Sequence, residues 1–155
     1  MDGLVCPGHV AAVAGAEAFR FVPEELHLPA AVAGFGAEDI LLAILALVRM
    51  VRGGRPALVN AYPRAVTAQG NATAQALVEK AFEPCDALWR GLGMIENSGL
   101  QLRAEYGEFD AAKRFPMPDL PVSGARACRC AEILRGLVEP FDCPLFGAVC
   151  TPEEP

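Results

Sequence analysis

The sequence has no apolar run long enough to cross a bilayer and no start typical of an exported protein. The longest strongly apolar stretch, residues 40–51, contains Arg49 and falls well short of the roughly 20 residues that a transmembrane helix needs. Residues 1–6 lack the cationic segment, followed by an apolar one, that defines a secretory signal. We therefore expect a cytoplasmic protein without a membrane-spanning segment.

Basic residues are also scarce. The chain has 13 Lys and Arg residues against 19 Asp and Glu residues, a net charge of −6. No run of Lys or Arg forms a stripe that would bind a phosphate backbone, so nucleic acid is not expected as a partner.

Conventional catalytic motifs are absent as well. No Ser/His/Asp order, P-loop or paired-carboxylate spacing is present, so nothing indicates a conventional hydrolase or kinase. Gly34 and Gly36 resemble the start of a dinucleotide motif, but Asp39 stands where the third glycine belongs. Nucleotide binding is therefore only weakly indicated.

What is present suits one folded domain. The 155 residues are 53% hydrophobic and 21% charged, as in an average soluble globular chain. Short apolar runs over residues 3–6, 30–34 and 56–60 predict strands, and helix-like segments lie between them. Alternating strands and helices with short connections predict an α/β fold, with a partly parallel sheet and flanking helices.

Three further segments have clear patterns. A helix over residues 38–53 is apolar almost all round, which predicts burial against the sheet. A second amphipathic helix is predicted after a capping residue, Asn71, and before Pro84. Residues 97–99, Asn-Ser-Gly between apolar flanks, predict a β-hairpin or a tight loop.

Three prolines within residues 115–121 exclude both a helix and a central strand, so we place a domain boundary there. The expected organisation is a partial α/β domain over residues 1–114, a proline-rich linker over 115–124 and a small cysteine-rich region over 125–155. That last region is too small to bury a core of its own, so a metal or the main domain must hold it.

The cysteines are unevenly distributed. Cys6 and Cys85 stand alone, whereas the last 28 residues contain four: Cys128, Cys130, Cys143 and Cys150. In a reducing compartment, clustered cysteines are more often metal or redox sites than disulfides. Because the paired spacing of a zinc site is absent, an iron-sulfur cluster fits better. The alternatives are small buried hydrophobic residues or an oxidised pair.

The residues after Cys130 predict how its side chain is oriented. Cys130, Ile133, Leu134 and Leu137 fall on one face of a helix that Gly136 weakens. This pattern predicts that the Cys130 thiol points inward.

A second group of candidates lies where predicted strands end. Cys6 and His9 follow the first strand, and Asn60, Tyr62 and Arg64 follow the third. Sheets of this class place ligand sites at strand ends, and a thiol near a helix N-terminus can act as a nucleophile or soft-metal ligand. A buried cysteine, a capping histidine and a solvated loop are the alternatives.

Five segments, in their order and spacing, resemble the HypD family of hydrogenase maturation proteins. They are Cys-Pro-Gly-His-Val at 6–10, Val-Ala-Gly-Phe at 32–35, Trp-Arg-Gly-Leu-Gly at 89–93, Cys-Arg-Cys at 128–130, and the segment 143–152 with its two cysteines. The resemblance covers nearly the whole chain, and the cysteine-rich tail is its most specific part.

The resemblance implies a scaffold rather than a conventional turnover enzyme. Such a scaffold works with a HypC-like chaperone to carry the Fe(CN)2CO group destined for nickel-iron hydrogenases, and a HypE-like protein donates the cyanide. The family has two α/β domains beside a cleft and a C-terminal 4Fe-4S cluster that relays electrons through thiols. By this resemblance, Cys130, Cys143 and Cys150 match three cluster ligands. Cys128 is a candidate substitute for the fourth ligand, although its C-x-C spacing is not that of the family's fourth position.

The chain also departs from the family pattern. Family members are more than twice as long, so we expect a fragment that lacks the N-terminal half and its Cys-Gly-x-His and Gly-Pro-Gly-Cys-Pro-x-Cys motifs. The family's fourth cluster cysteine would lie beyond Pro155, so a cluster in this chain would be absent or incomplete. Residues 58–62 read Leu-Val-Asn-Ala-Tyr where the family has Val-Glu-Asn-Gln-Tyr.

Two other functions fit the residues. One is a stand-alone interaction module, zinc-bound or metal-free, that pairs with another chain or with a second copy as a homodimer, because half a sheet exposes an edge and an apolar face. The other is a thiol-disulfide redox protein, since Cys128 and Cys130 are close enough to cycle.

Overall fold

The computed structural model describes residues 1–89, 92–115 and 127–153. The chain divides into two compact units, Met1–Lys80 and Ala81–Pro155, and each is described by itself. The predicted proline-rich linker over 115–124 lies outside the described residues except for Phe115, so the domain limits around it stay predictions. Among the helices that the structure describes, none is long and apolar enough to span a membrane.

A parallel sheet of three strands organises the first unit. The strands are β1 (Leu4–Pro7), β2 (Ala30–Ala33) and β3 (Leu58–Asn60), and they lie in the order β1-β2-β3. Every residue of the central strand β2 is buried, as is usual for a parallel strand covered on both faces. The predicted α/β fold with a partly parallel sheet is confirmed.

Helices connect the strands. Between β1 and β2 lie α1 (Gly8–Ala14), a 3-10 turn (Ala16–Phe19) and α2 (Phe21–Glu25). Between β2 and β3 lies α3 (Ala37–Gly53), and α4 (Ala72–Ala81) follows β3. The predicted cap of α4 is confirmed, because Asn71 Oδ1 accepts the N–H of Ala74 at 3.0 Å.

Two small apolar clusters lie on opposite faces of β2. Ala30 and Val32 join a cluster with Cys6, Ala11, Ala16, Val22 and Val66. Ala31 and Ala33 pack with Ala43 of α3, beside Leu47 and Ala61. The alternation follows from the two-residue period of a strand.

The prediction that α3 is buried is wrong for most of its length. Its buried residues are Asp39 and Ala43, on the side that faces the sheet. Seven large apolar side chains are between 38% and 65% exposed: Ile40, Leu41, Leu42, Ile44, Leu45, Val48 and Val51. The physical reason is that a narrow sheet covers only one side of a helix.

The second unit begins with an antiparallel hairpin of β4 (Phe82–Trp89) and β5 (Gly93–Leu102). A 3-10 turn (Ala104–Phe109) and α5 (Ala111–Arg114) follow. Its last described elements are α6 (Cys130–Leu134) and a 3-10 turn (Pro140–Asp142).

The hairpin is confirmed, but its predicted turn is misplaced. Strand pairing extends to Trp89 opposite Gly93, so residues 97–99 lie inside β5. The left-handed Asn97 (φ 52°) donates its N–H to Asp86, and Ser98 accepts a hydrogen bond from the Trp89 indole. Because the register shifts opposite this segment, between Cys85 and Ala87, the turn-like residues form an irregularity within the ladder.

Candidate functional site

The carboxyl ends of the three parallel strands bring five predicted residues to one edge of the sheet. β1 ends at Pro7 directly before α1, and β3 ends at Asn60 before a loop. A sixth side chain, from the start of α3, joins them there. We call this group the edge cluster, and its members are Cys6, His9, Asp39, Asn60, Tyr62 and Arg64.

The ring of Tyr62 lies against two glycines at the ends of the neighbouring strands. A Cβ atom at Gly8 would lie 2.8 Å from Tyr62 Cδ1 and closer still to the carbonyl oxygen of Ala33. A Cβ atom at Gly34 would lie 2.8 Å from Tyr62 Cε2. Only glycine fits at these two positions, because any side chain would displace the ring or the strand.

Asp39 and Arg64 form a bidentate ion pair beside this ring. Asp39 Oδ1 accepts from Arg64 Nη1 at 2.5 Å, and Oδ2 accepts from Nη2 at 2.6 Å. The Asp39 side chain is 3% exposed and that of Arg64 is 64% exposed. The guanidinium carbon also lies 4.4 Å from the centroid of the Tyr62 ring. Arg64 therefore connects a buried carboxylate to the exposed rim of the site.

This pairing changes the acid–base properties of both groups. The hydrogen bond from Arg64 holds the pKa of Asp39 below its usual value, and it outweighs the opposing effect of burial. Asp39 reciprocally raises the pKa of Arg64. Both groups are therefore charged at neutral pH.

Asp39 was not predicted as a site residue, although it stands where a third glycine would complete a dinucleotide motif. Its carboxylate also accepts a hydrogen bond from the backbone of Gly36 at the start of α3. A phosphate would bind at such a helix start. Because the chain's own carboxylate lies there, the geometry does not favour a phosphate ligand.

Within the edge cluster, Cys6 is buried and Asn60 is half-buried. Cys6 is 4% exposed, and burial raises the pKa of its thiol, which is the opposite of what a nucleophile needs. Asn60 Nδ2 donates to the carbonyl of Val66 at 2.8 Å, and its Oδ1 accepts the N–H of Tyr62 at 2.9 Å. The Asn60 amide therefore shapes the loop that carries Tyr62 and Arg64.

His9 is exposed, and its ring centroid lies 5.0 Å from that of Phe35. Phe35 is itself 75% exposed, and the sequence reasoning did not single it out as a candidate. His9 and Arg64 are the edge-cluster members that present charged or titratable groups to the surroundings.

Four cysteines lie in a second candidate site, residues 127–153, which we call the cysteine segment. Cys128 is exposed, Cys130 and Cys150 are half-buried, and Cys143 is buried. Cys130 is the first residue of α6. No disulfide joins any of the chain's six cysteines, all of which the structure describes.

Backbone N–H groups surround the thiol of Cys143. Those of Arg129 and Leu145 lower its pKa most, that of Phe146 adds to the effect, and together they outweigh burial. The positive charge of Arg129 contributes in the same direction. Cys143 is therefore predisposed to the thiolate form, which is the form that binds a metal.

Hydrogen bonds also close the loop that follows Cys143. The N–H of Cys150 donates to the carbonyl of Leu145 at 2.9 Å, and the N–H of Gly147 donates to the carbonyl of Cys150 at 3.0 Å. The Arg129 side chain joins this region to α6, because it donates to Glu132 at 2.6 Å and to the carbonyl of Asp142 at 3.4 Å. The segments carrying Cys130, Cys143 and Cys150 are thus connected.

The predicted inward face of α6 is wrong at two positions. Leu134 is 65% exposed and Leu137 is 64% exposed. The helix ends at Leu134 because Gly136 is left-handed (φ 69°), with the Leu137 N–H donating to the carbonyl of Glu132. Leu137 therefore lies beyond the helix.

The donor chemistry of the cysteine segment fits an iron-sulfur cluster, because thiolates are the ligands such clusters take and one thiol already has a lowered pKa. In the described parts of the chain, however, no three His, Cys, Asp or Glu side chains are close enough together to hold one metal ion. The ligand set of Cys130, Cys143 and Cys150, with Cys128, stays a prediction.

Comparison with known proteins identifies the family. The sequence model of HypD, described as "Hydrogenase formation hypA family", matches residues 1–155. The chain is 47% identical to the hydrogenase maturation factor HypD of Rhizobium leguminosarum bv. viciae and 45% identical to that of Cupriavidus necator, each over 156 residues. It is 40% identical to HypD of Escherichia coli over 157 residues.

These alignments cover 99–100% of this chain but 40–41% of the relatives. The chain therefore spans about two fifths of the length of the curated relatives it matches. Since the family match extends over all 155 residues, the chain belongs to the HypD family of hydrogenase maturation factors.

Proposed function

We propose that the chain forms part of a scaffold that assembles and delivers the Fe(CN)2CO group of nickel-iron hydrogenases. The role is that of a metal scaffold rather than a turnover enzyme, with a HypC-like chaperone and a HypE-like cyanide donor as partners. The observation that carries this proposal is Cys143, whose pKa is lowered by backbone N–H groups within the cysteine segment of a HypD-family chain.

In this proposal, Cys130, Cys143 and Cys150 hold a 4Fe-4S cluster, with Cys128 as the substitute fourth ligand. When bound, such a cluster supplies one-electron redox chemistry. Hydrogen bonds to ligand sulfurs tune the reduction potential of iron-sulfur clusters, and the N–H groups around Cys143 are placed for that role. Arg129 keeps the start of α6 next to residue 142 through its two side-chain contacts.

The edge cluster is the proposed contact for the iron cargo. Cyanide ligands give that group negative charge and nitrogen atoms that accept hydrogen bonds. Arg64 uses only part of its N–H donors on Asp39, and 64% of its side chain is exposed. We assign Arg64 and His9 as the donors that face the cargo, and Asp39 as the residue that positions Arg64.

Anaerobic reconstitution with iron and sulfide tests the cluster. With Cys128 in the place of the fourth ligand, we expect bound iron and sulfide and a visible charge-transfer absorption in the unmodified chain. Cys143→Ser should lose most of the bound iron, whereas Cys85→Ser should retain it, because Cys85 lies in β4 outside the cysteine segment. Absence of bound iron from the unmodified chain, or equal iron in both variants, would contradict the assignment.

The exposed apolar side chains of α3 favour a second function, an interaction module that pairs with another chain. Metal analysis and a mass measurement in solution separate the two functions. A metal-free dimer after reconstitution supports the interaction module, and an iron-loaded monomer supports the scaffold alone.

A further inference from the structure

The ring of Tyr62 is fixed in place by the sheet around it. Its two edges face the glycines that follow β1 and β2: a Cβ atom at Gly8 would lie 2.8 Å from Tyr62 Cδ1, and one at Gly34 would lie 2.8 Å from Cε2. Tyr62 also packs against the apolar cluster that contains Val32, and its N–H donates to Asn60 Oδ1 at 2.9 Å. The plane of the ring is therefore set by the fold.

Arg64, by contrast, is mostly exposed and needs contacts to keep one orientation. Its side chain is 64% exposed, and an arginine side chain without contacts samples many rotamers. The guanidinium carbon lies over the Tyr62 ring, 4.4 Å from the centroid, and a planar guanidinium stacks well on an aromatic face. Asp39 holds one edge of the guanidinium through Nη1 and Nη2, whereas Tyr62 covers one face.

The ion pair leaves several N–H groups of Arg64 available for a ligand. Asp39 takes one N–H of each Nη atom, so the Nε–H and the second N–H of each Nη remain. Because the carboxylate balances the charge of the guanidinium, the remaining donors select a ligand by hydrogen bonding more than by net charge. The nitrogen end of a metal-bound cyanide is an acceptor of that kind.

Gly34 lies where the two supports of Arg64 meet. A Cβ atom at Gly34 would lie 2.5 Å from Asp39 Oδ2 and 2.8 Å from Tyr62 Cε2. The carboxylate and the ring therefore both lie against the backbone at the end of β2, with no room for a side-chain atom. A substitution at Gly34 would displace both supports of Arg64 without removing either of them.

We propose that Tyr62 is a positioning residue for Arg64. The sheet fixes the ring, and the ring sets the plane of the guanidinium so that its remaining N–H groups face the cyanide nitrogens of the cargo. This inference rests on the proposed function, which supplies metal-bound cyanide as the ligand. The aromatic ring, and not the hydroxyl, performs the positioning, so phenylalanine can replace Tyr62 and leucine cannot.

Binding of hexacyanocobaltate(III) to the 155-residue chain tests this role. This complex presents cyanide nitrogens, is diamagnetic, and neither exchanges its ligands nor oxidises thiols. Calorimetry measures its affinity, and the NMR signal of the Arg64 Nε–H identifies the group that binds it. Trimetaphosphate has the same charge but no cyanide, so it measures binding by charge alone. We expect hexacyanocobaltate(III) to bind more tightly than trimetaphosphate and to shift the Arg64 signal.

Two variants remove or displace the aromatic support. Tyr62→Leu should weaken the binding of hexacyanocobaltate(III) about two- to fivefold, because the guanidinium loses its contact with the ring. It should also move the Arg64 Nε–H signal downfield, because the shielding by the ring current is lost. Gly34→Ala should weaken binding as well, although it leaves Asp39, Tyr62 and Arg64 in the chain.

Two further variants serve as controls. Tyr62→Phe should retain both the affinity and the Arg64 signal, since it keeps the ring. Tyr106→Leu is the matched control, because Tyr106 is the other tyrosine of the chain, is likewise half-buried and lies in the 3-10 turn of the second unit. It should bind like the unmodified chain, and a far-UV spectrum checks that every variant is folded.

Arg64→Met separates this inference from the proposed function. If Arg64→Met binds the complex like the unmodified chain, or if trimetaphosphate binds equally well, the assignment of Arg64 to the cargo is contradicted. If Arg64→Met loses binding but Tyr62→Leu or Gly34→Ala leaves the affinity and the Arg64 signal unchanged, the positioning role of Tyr62 alone is overturned. Equal losses in Tyr62→Phe and Tyr62→Leu would overturn it too, because they would assign the role to the hydroxyl.

Discussion

The edge cluster and the cysteine segment differ in what holds their side chains. The edge cluster is positioned by the buried strand β2, the bidentate Asp39–Arg64 ion pair and the close contacts of the Tyr62 ring with two glycines. In the second unit, Cys143 is the only buried residue among those the structure describes. A site built on a packed core is preorganised, whereas a site in a segment with almost no core depends on what it binds.

The largest effect that we predict concerns the glycines under Tyr62. Gly8→Ala should destabilise the first unit by about 3 kcal/mol, because the new Cβ meets the backbone of β2 and the Tyr62 ring, and neither can move freely. Thermal unfolding followed by far-UV circular dichroism measures the change.

Gly53→Ala is the matched control for that substitution. Within the described chain nothing lies within 4 Å of a Cβ atom at Gly53, and this residue is helical. The change should be neutral or slightly stabilising, since alanine favours a helix. Equal destabilisation by both substitutions would mean that the close contact at Gly8 is not what requires glycine.

The two buried thiols provide a second comparison between the regions. Cys6 and Cys143 are similarly inaccessible, at 4% and 8% exposed, but burial raises the pKa of Cys6 and backbone N–H groups lower that of Cys143. Since the thiolate reacts, Cys143 should be alkylated faster than Cys6 at neutral pH. Mass spectrometry of iodoacetamide-treated metal-free protein measures both rates.

The pH dependence of the two alkylation rates separates the effect of the thiol pKa from the effect of reagent access to the thiol. The alkylation of Cys143 should rise at a lower pH than that of Cys6, because its thiolate forms earlier. Parallel pH profiles for the two thiols would attribute the difference in rate to access alone.

The third comparison concerns the Asp39–Arg64 pair. Arg64→Met leaves a buried carboxylate without its partner, so it should lower the melting temperature more than Asp39→Asn, which leaves only an exposed arginine. Asparagine can also still accept the hydrogen bond from the backbone of Gly36.

Acid should abolish the difference in melting temperature between the unmodified protein and Arg64→Met. The folded pKa of Asp39 is depressed, so the stabilisation is present above the unfolded pKa of about 3.9 and is lost as the pH falls through the folded value. The melting temperatures of the unmodified protein and of Arg64→Met should therefore converge in acid. A gap that persists unchanged in strong acid would assign the effect to packing of the arginine stem instead.

Apolar periodicity predicted the parallel strands, α3 and α4 well, because these elements depend on neighbouring residues. The same pattern was misleading about burial. Residues 40–51 are apolar almost all round, and this property does not specify what covers the outer side of α3. Residues 97–99 likewise predict a turn, because their local preference does not reveal a partner strand that continues to Trp89.

The sequence by itself determined the fold class, the family and the list of thiol and edge residues, because these follow from local patterns and ordered motifs. Only the tertiary structure decided which of these residues contact one another. Asp39 and Arg64 are 25 residues apart in the chain, and Tyr62 meets glycines from two other strand ends. Such contacts arise when parallel strands align their carboxyl ends, which no short stretch of sequence can specify.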